Sequence, residues 1–223
     1  MSDFSPLQVR VAGNWACYTR PSMKVERVSY DVMTPSAARG VLEAVFWKPA
    51  FEWRVRRIHV LNPIRRESIL RTEVNNVQSA RSARRWANDD GVGGYYTDKE
   101  GNYTQRHTLA LRDVAYLIEA NVHLVGYGKN EHPAKYRDQF RRRVARGQCF
   151  HRPYLGCREF AARFAPPTGD ETAIDRSEGL GRMLFDLDYE ADDDRNTPLF
   201  FRARLDDGVL HVPPELYEKR HTS

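Results

Sequence analysis

The residues best suited to chemistry crowd into one stretch of this 223-residue chain, His132 to Phe160, HPAKYRDQFRRRVARGQCFHRPYLGCREF. From Lys135 to Arg158 it carries eight cations, with Asp138 as the acid among them and Glu159 just beyond. The planar fork of arginine matches phosphate oxygens. Arg137, Arg141, Arg142, Arg143, Arg146 and Arg158 are therefore candidate phosphate contacts for a polyanion such as nucleic acid. Phe150 and Tyr154 either stack on bases or pack on a strand edge. Histidine is the residue type suited to base work near neutral pH, and His132 lies four residues before Tyr136, on the same face if a helix begins early enough despite Pro133. Tyrosine, with an ordinary pKa near 10, is a poor base but a usable hydrogen-bond donor. Gly147 and Gly156 frame a loop whose backbone can approach a phosphate closely, or which simply turns a helix into a strand. His59, His107, His123 and His151 have no metal-ligand spacing, so no metal and no other cofactor is expected.

The elements that must hold these residues follow from periodicity. A helix over 133–146 has a thin apolar face, Tyr136, Phe140 and Val144, and Gly147 ends it. A strand at 157–164 follows. Upstream, alternation predicts a strand over 7–18, and then a loop through 19–33. Thr34-Pro35 starts a helix with an apolar face of Ala38, Val41, Leu42, Val45 and Phe46, and Pro49 stops it. A strand over 52–61 slips phase at Arg56-Arg57. Residues 64–108 form an arginine-rich insertion, read as an extended hairpin or a mobile flap that clamps an elongated ligand, or else a plain surface loop. A strong strand lies within 108–125. Beyond Pro166-Pro167, short strands at 182–189, 199–205 and 209–212 make a small antiparallel sheet, the last two joined by an Asp-Asp-Gly hairpin. The fold class is α+β. The order βαββαβ predicts a ferredoxin-like domain, as in RNA-recognition modules, over 1–166, and a small β-domain over 167–223.

Bulk properties narrow the function. Net charge is +5, 41% of residues are hydrophobic and 29% are charged, as in a soluble globular protein. No apolar run reaches a membrane-span length, and the N-terminus has no secretory apolar core, so no membrane partner is expected. Three cysteines without Cys-x-x-Cys spacing fit a reducing, cytoplasmic setting.

Five stretches together resemble one family: KVERVSYDVMTPSAARGVLEAVFWKP (24–49), RIHVLNPI (57–64), TEVNNVQ (72–78), FRRRVARGQCFHRPYLGCREF (140–160) and TPLFFRARL (197–205). They look like the type I-C CRISPR-associated Cas-five subunit, subtype d. The resemblance implies a ferredoxin-like domain with a small C-terminal sheet. It implies an endoribonuclease that cuts CRISPR precursor RNA at the repeat hairpin without a metal. It also implies that the protein stays on the 5′ handle of the mature guide RNA, in a surveillance complex with a large subunit and backbone subunits, meeting target DNA only indirectly. Cleavage of this type uses the RNA's 2′-hydroxyl as nucleophile and leaves a 2′,3′-cyclic phosphate and a 5′-hydroxyl. It calls for a base, an acid and a cation to stabilise the phosphorane. The family's catalytic tyrosine, lysine and histidine fall on Phe46, Lys135 and Tyr136 here. Lys135 thus becomes the candidate phosphorane stabiliser, Tyr136 an acid or hydrogen-bonder, and His132 a replacement base. A non-catalytic scaffold capping the 5′ handle is the alternative function.

Overall fold

Alternation of buried and exposed residues organises the computed structural model, which describes residues 5–75, 79–88, 101–188 and 197–219. Strand β1 (Leu7–Ala16) buries Leu7, Val9 and Val11 in turn. A two-residue strand, β2 (Arg27–Val28), interrupts what reads as a loop in the sequence. Helix α1 (Pro35–Val45) begins as expected: the Thr34 hydroxyl accepts the Ala37 N–H at 3.3 Å, and proline takes the first helical position. It ends at Val45, before Pro49. Phe46 turns to extended backbone, and its carbonyl accepts the buried Trp53 indole N–H at 2.8 Å.

Strand β3 (Phe51–Val60) pairs antiparallel with β5 (Tyr103–Leu124), and the register slips between Val55 and Arg57. The phase break in the sequence is thus a bulge. The insertion forms a hairpin: β4 (Arg65–Val74) pairs with the first half of β5 over ten residues. It also contains α2 (Ala80–Asn88), which the sequence did not announce. The turn-like stretch 89–100 lies outside the described residues. A 3-10 turn (Gly126–Asn130) leads into α3 (Pro133–Ala145), and Gly147 at φ 63 closes that helix.

The strand expected at 157–164 is broken. Strand β7 (Cys157–Ala161) folds back on β6 (Tyr154–Leu155) as a separate hairpin, whereas β8 (Arg163–Ala165) joins β1. The Ala162 N–H is diverted to the Pro153 carbonyl at 2.9 Å, which explains the break. Beyond the break lie β9 (Glu178–Asp188), β10 (Thr197–Asp206) and β11 (Val209–His211). The main sheet runs β8-β1-β5-β3-β11-β10-β9, antiparallel along its length, with β4 and the parallel β2 also on β5. β11 pairs with β3, so the C-terminal strands extend the same sheet. A short helix, α4 (Glu215–Lys219), follows, and its buried Tyr217 donates to the Val55 carbonyl at 3.0 Å.

Helices α1 and α3 pack on the sheet around an aromatic cluster. Phe140 lies 4.7 Å from Trp53 between ring centroids, and Phe51 lies 5.4 Å from Trp53. Elsewhere on the sheet, Glu119 of β5 gathers Gln8 at 3.0 Å, Arg57 at 3.0 Å and His59 at 3.2 Å. No helix among the described residues is long and apolar enough to cross a membrane.

Candidate functional site

The start of α3 is built from a capped turn and a buried ring. His132 is the N-cap, with φ −94 and ψ 128, and its Nδ1 accepts the Ala134 N–H at 3.3 Å. Pro133 is the first helical residue. His132 therefore stays outside the helix and does not take the place on Tyr136's face that an earlier start would give it. Its Nδ1 is engaged in capping.

Tyr136 is 4% exposed, and its ring packs 5.0 Å from Phe51 and 6.4 Å from Phe46. Its hydroxyl donates to Glu131 Oε2 at 2.7 Å. Lys135 is exposed, and its Nζ donates to the same Oε2, also at 2.7 Å. One carboxylate oxygen thus joins both predicted groups. The bond to Glu131, reinforced by burial, pushes the Tyr136 hydroxyl up to about 12. In return Lys135, and then Tyr136, hold the Glu131 carboxyl below its ordinary value.

Glu131 is the member that sequence reasoning missed. Its spacing was the available signal: a glutamate four residues before a lysine is the favoured order for a helical pair. The turn that carries it is anchored. Val125 N–H donates to the Ala50 carbonyl, Gly128 N–H to Val125 and Glu131 N–H to Gly128, each at 2.9 Å. Gly128 is required there, since a Cβ would lie 2.1 Å from the Ala50 carbonyl oxygen. Beside this turn Tyr127 is 65% exposed, and its hydroxyl adds to the upward push on Tyr136.

Phe46, at the position of the family's tyrosine, packs 6.4 Å from Tyr136, and the Lys135 Nζ lies 5.4 Å from the centre of the Tyr136 ring. Phe46 is buried, and the Arg143 guanidinium sits 5.0 Å from the centre of its ring. Arg143 also donates to the Val45 carbonyl at 3.0 Å, so it ties α3 to the end of α1.

The remaining arginines divide by environment. Arg137 is 4% exposed, and its Nη2 donates to the Ser5 carbonyl at 2.7 Å. Its guanidinium is turned inward and withdrawn from any surface grip, contrary to the expected phosphate contact. Arg141, Arg142, Arg146 and Arg158 are exposed. Arg141 reaches Asp138 only at 3.4 Å. Phe150 is 84% exposed, and its backbone N–H donates to the Ala44 carbonyl at 2.8 Å, so the loop after α3 rides on the last turn of α1. Tyr154 is 38% exposed. It lines a cavity of ≈ 460 Å³ with Tyr18, Arg39, Glu43 and Asp186. Within that cavity Arg39 bonds Asp186 at 2.6 Å and Glu43 at 2.8 Å. Chemically, the cluster offers an exposed ammonium, a protonated phenol and a carboxylate.

Comparison with known proteins gives this geometry a context. A family model described as CRISPR-associated protein, Cas5, of the Cas5d type, matches residues 7–213. A relative from Mannheimia succiniciproducens, named CRISPR pre-crRNA endoribonuclease Cas5d, is 44% identical over 93% of this chain and 95% of its own length. A second of the same name, from Thermus thermophilus, is 43% identical over 96% of this chain and 93% of its own. Among solved structures, one titled as the crystal structure of a CRISPR-associated protein superposes with a TM-score of 0.66 at 21% identity, covering 94% of this chain and 92% of the other. That last likeness concerns the fold alone. The family match over residues 7–213 and the two long relatives together place the chain: it belongs to the Cas5 family of CRISPR-associated proteins, on the Cas5d branch.

Proposed function

We propose that this protein is a metal-independent endoribonuclease that cleaves CRISPR precursor RNA at the repeat hairpin. It then stays on the 5′ handle as a cytoplasmic subunit of the type I-C surveillance complex, beside the large and backbone subunits. The observation that carries the reading is the meeting of Phe46, Lys135 and Tyr136 in one cluster, with the Lys135 ammonium exposed. The names of the two relatives support the same activity.

In this reading the RNA's 2′-oxygen attacks the adjacent phosphorus, and the Lys135 ammonium stabilises the charge of the phosphorane. Tyr136, held protonated, serves as a donor rather than a base. Arg141, Arg142, Arg146 and Arg158 grip phosphates, and Phe150 and Tyr154 offer stacking faces. We read the strand order β8-β1-β5-β3, all antiparallel, as the 4-1-3-2 order of a ferredoxin-like sheet, with β9 to β11 as the smaller C-terminal unit.

A second reading, a scaffold that binds the handle without cutting, is favoured by Phe46, which has no hydroxyl at the family's tyrosine position. A labelled repeat hairpin incubated with protein in EDTA separates the two. Cleavage by the wild type, lost in Lys135→Ala with binding retained, supports the nuclease. Binding without cleavage by the wild type supports the scaffold.

A further inference from the structure

We propose that Glu131 is the general base of the cleavage reaction, taking the proton from the attacking 2′-hydroxyl. This rests on the endoribonuclease reading above and names the group that reading lacks. The other candidates in the cluster are committed elsewhere. His132 spends Nδ1 on the helix cap, and Tyr136 keeps its proton and donates a hydrogen bond to Glu131. Phe46 has nothing to ionise. Glu131 is the carboxylate at the centre, 2.7 Å from both the Lys135 ammonium and the Tyr136 hydroxyl. Its side chain is 32% exposed, so it is reachable by a ligand. Its backbone is fixed through Gly128 to Ala50, which holds the carboxylate in place without help from a substrate.

The groups facing Glu131 define how it is switched on. These are Lys135 and Tyr136 of α3, with Tyr127 of the preceding turn close to Tyr136. In the free protein Lys135 neutralises the carboxylate and weakens it as a base. The Lys135 side chain is 62% exposed on a flexible stem, and an arriving phosphate competes for its ammonium. As Nζ moves to a phosphate oxygen, the main influence holding Glu131 acidic is removed, and the carboxylate regains basicity beside the 2′-hydroxyl. The step then balances. The 2′-hydroxyl proton passes to Glu131, the 2′-oxygen bonds to phosphorus, and the bond from phosphorus to the 5′-oxygen breaks. The departing oxygen takes a proton from Tyr136, and Glu131, at hydrogen-bond distance, returns its acquired proton to Tyr136. No co-reactant is consumed.

The test is single-turnover cleavage of a labelled repeat hairpin in EDTA across acidic to neutral pH, with RNA affinity measured in parallel. Wild type is expected to slow as pH falls through the carboxylate range. Glu131→Gln is expected to lose about 10²–10⁴-fold in rate, to bind RNA no more weakly, and to lose that acid limb. Glu131→Asp keeps the carboxylate, so it retains the acid limb at a reduced rate and guards against misreading a folding defect. A Glu131→Gln variant that cuts like wild type, or is slowed but keeps the wild-type acid limb, overturns the assignment and leaves the nuclease reading standing. Wild type that binds and never cuts removes the nuclease reading itself, and this inference with it.

Discussion

Replacing Arg137 by methionine tests whether burial, rather than charge, decides what an arginine of α3 does. Arg137 is 4% exposed and donates to the Ser5 carbonyl at 2.7 Å. Burial lowers its pKa, as expected of a charge taken out of water. Removing the guanidinium leaves a carbonyl without its charged donor, a loss of about 1.5–3 kcal/mol. Methionine keeps most of the apolar stem and abolishes the desolvation cost of the cation, offsetting roughly 1 kcal/mol. The net destabilisation is about 0.5–2 kcal/mol, or ~1–8 °C in Tm for a chain of this size. Because the side chain does not face solvent, the salt dependence of RNA binding should not change. The exposed pair behaves in the opposite way. Arg141→Ala with Arg142→Ala should leave Tm within about 1 °C and flatten the slope of log K against log salt by ~1.4 on single-stranded RNA. Thermal melts and filter binding at several salt concentrations read both effects. A methionine at position 137 that flattened the salt slope and left Tm unchanged would refute the division.

Two further predictions follow from exposure and from titration. Phe150→Ala should leave stability within about 0.5 kcal/mol, since the ring is 84% exposed, while weakening RNA binding by about 1–3 kcal/mol if one base stacks there; an unchanged affinity removes Phe150 as a platform. Glu119 has its pKa lowered by the His59 hydrogen bond first, then by Gln8 and Arg57, against an opposing effect of burial. A lowered folded pKa stabilises above the unfolded value, near 4.3, and that contribution disappears as pH falls through the folded value. Glu119→Gln should therefore be less stable at pH 7 and lose less stability on acidification, read from denaturant melts at a series of acidic pH values; a parallel pH dependence in both proteins contradicts the assignment.

Much of the fold was legible because local rules and tertiary packing agree. Thr34-Pro35 announces α1 and caps it, Pro133 and Gly147 bound α3, and the phase break at Arg56-Arg57 is a bulge. Helix α2 was not legible, since none of its residues is buried and so no apolar face marks it. The break between β7 and β8 depends on one bond from Ala162 to Pro153, and the union of β11 with β3 is a long-range pairing; neither has a local signature. At the candidate site, family motifs pointed to Lys135 and Tyr136. They did not point to Glu131: it precedes the N-cap and belongs to no periodic face, so its four-residue spacing to Lys135 was the one mark it left. Arg137 did leave a signal that went unused: it sits three residues before Phe140 and seven before Val144, on the helix's apolar side.

The pairing of β11 with β3 also has a consequence in time. Residues 57–59 wait for partners at 209–211, roughly 150 residues later in the chain. At a synthesis rate of 5–20 residues per second, the β3 edge stays open on the ribosome for about 8–30 s after it emerges. An unpaired edge of backbone N–H and carbonyl groups is a template for wrong partners. Arg54, Arg56 and Arg57 on this strand place charge beside that edge while it waits, and β11 is the strand that seals it.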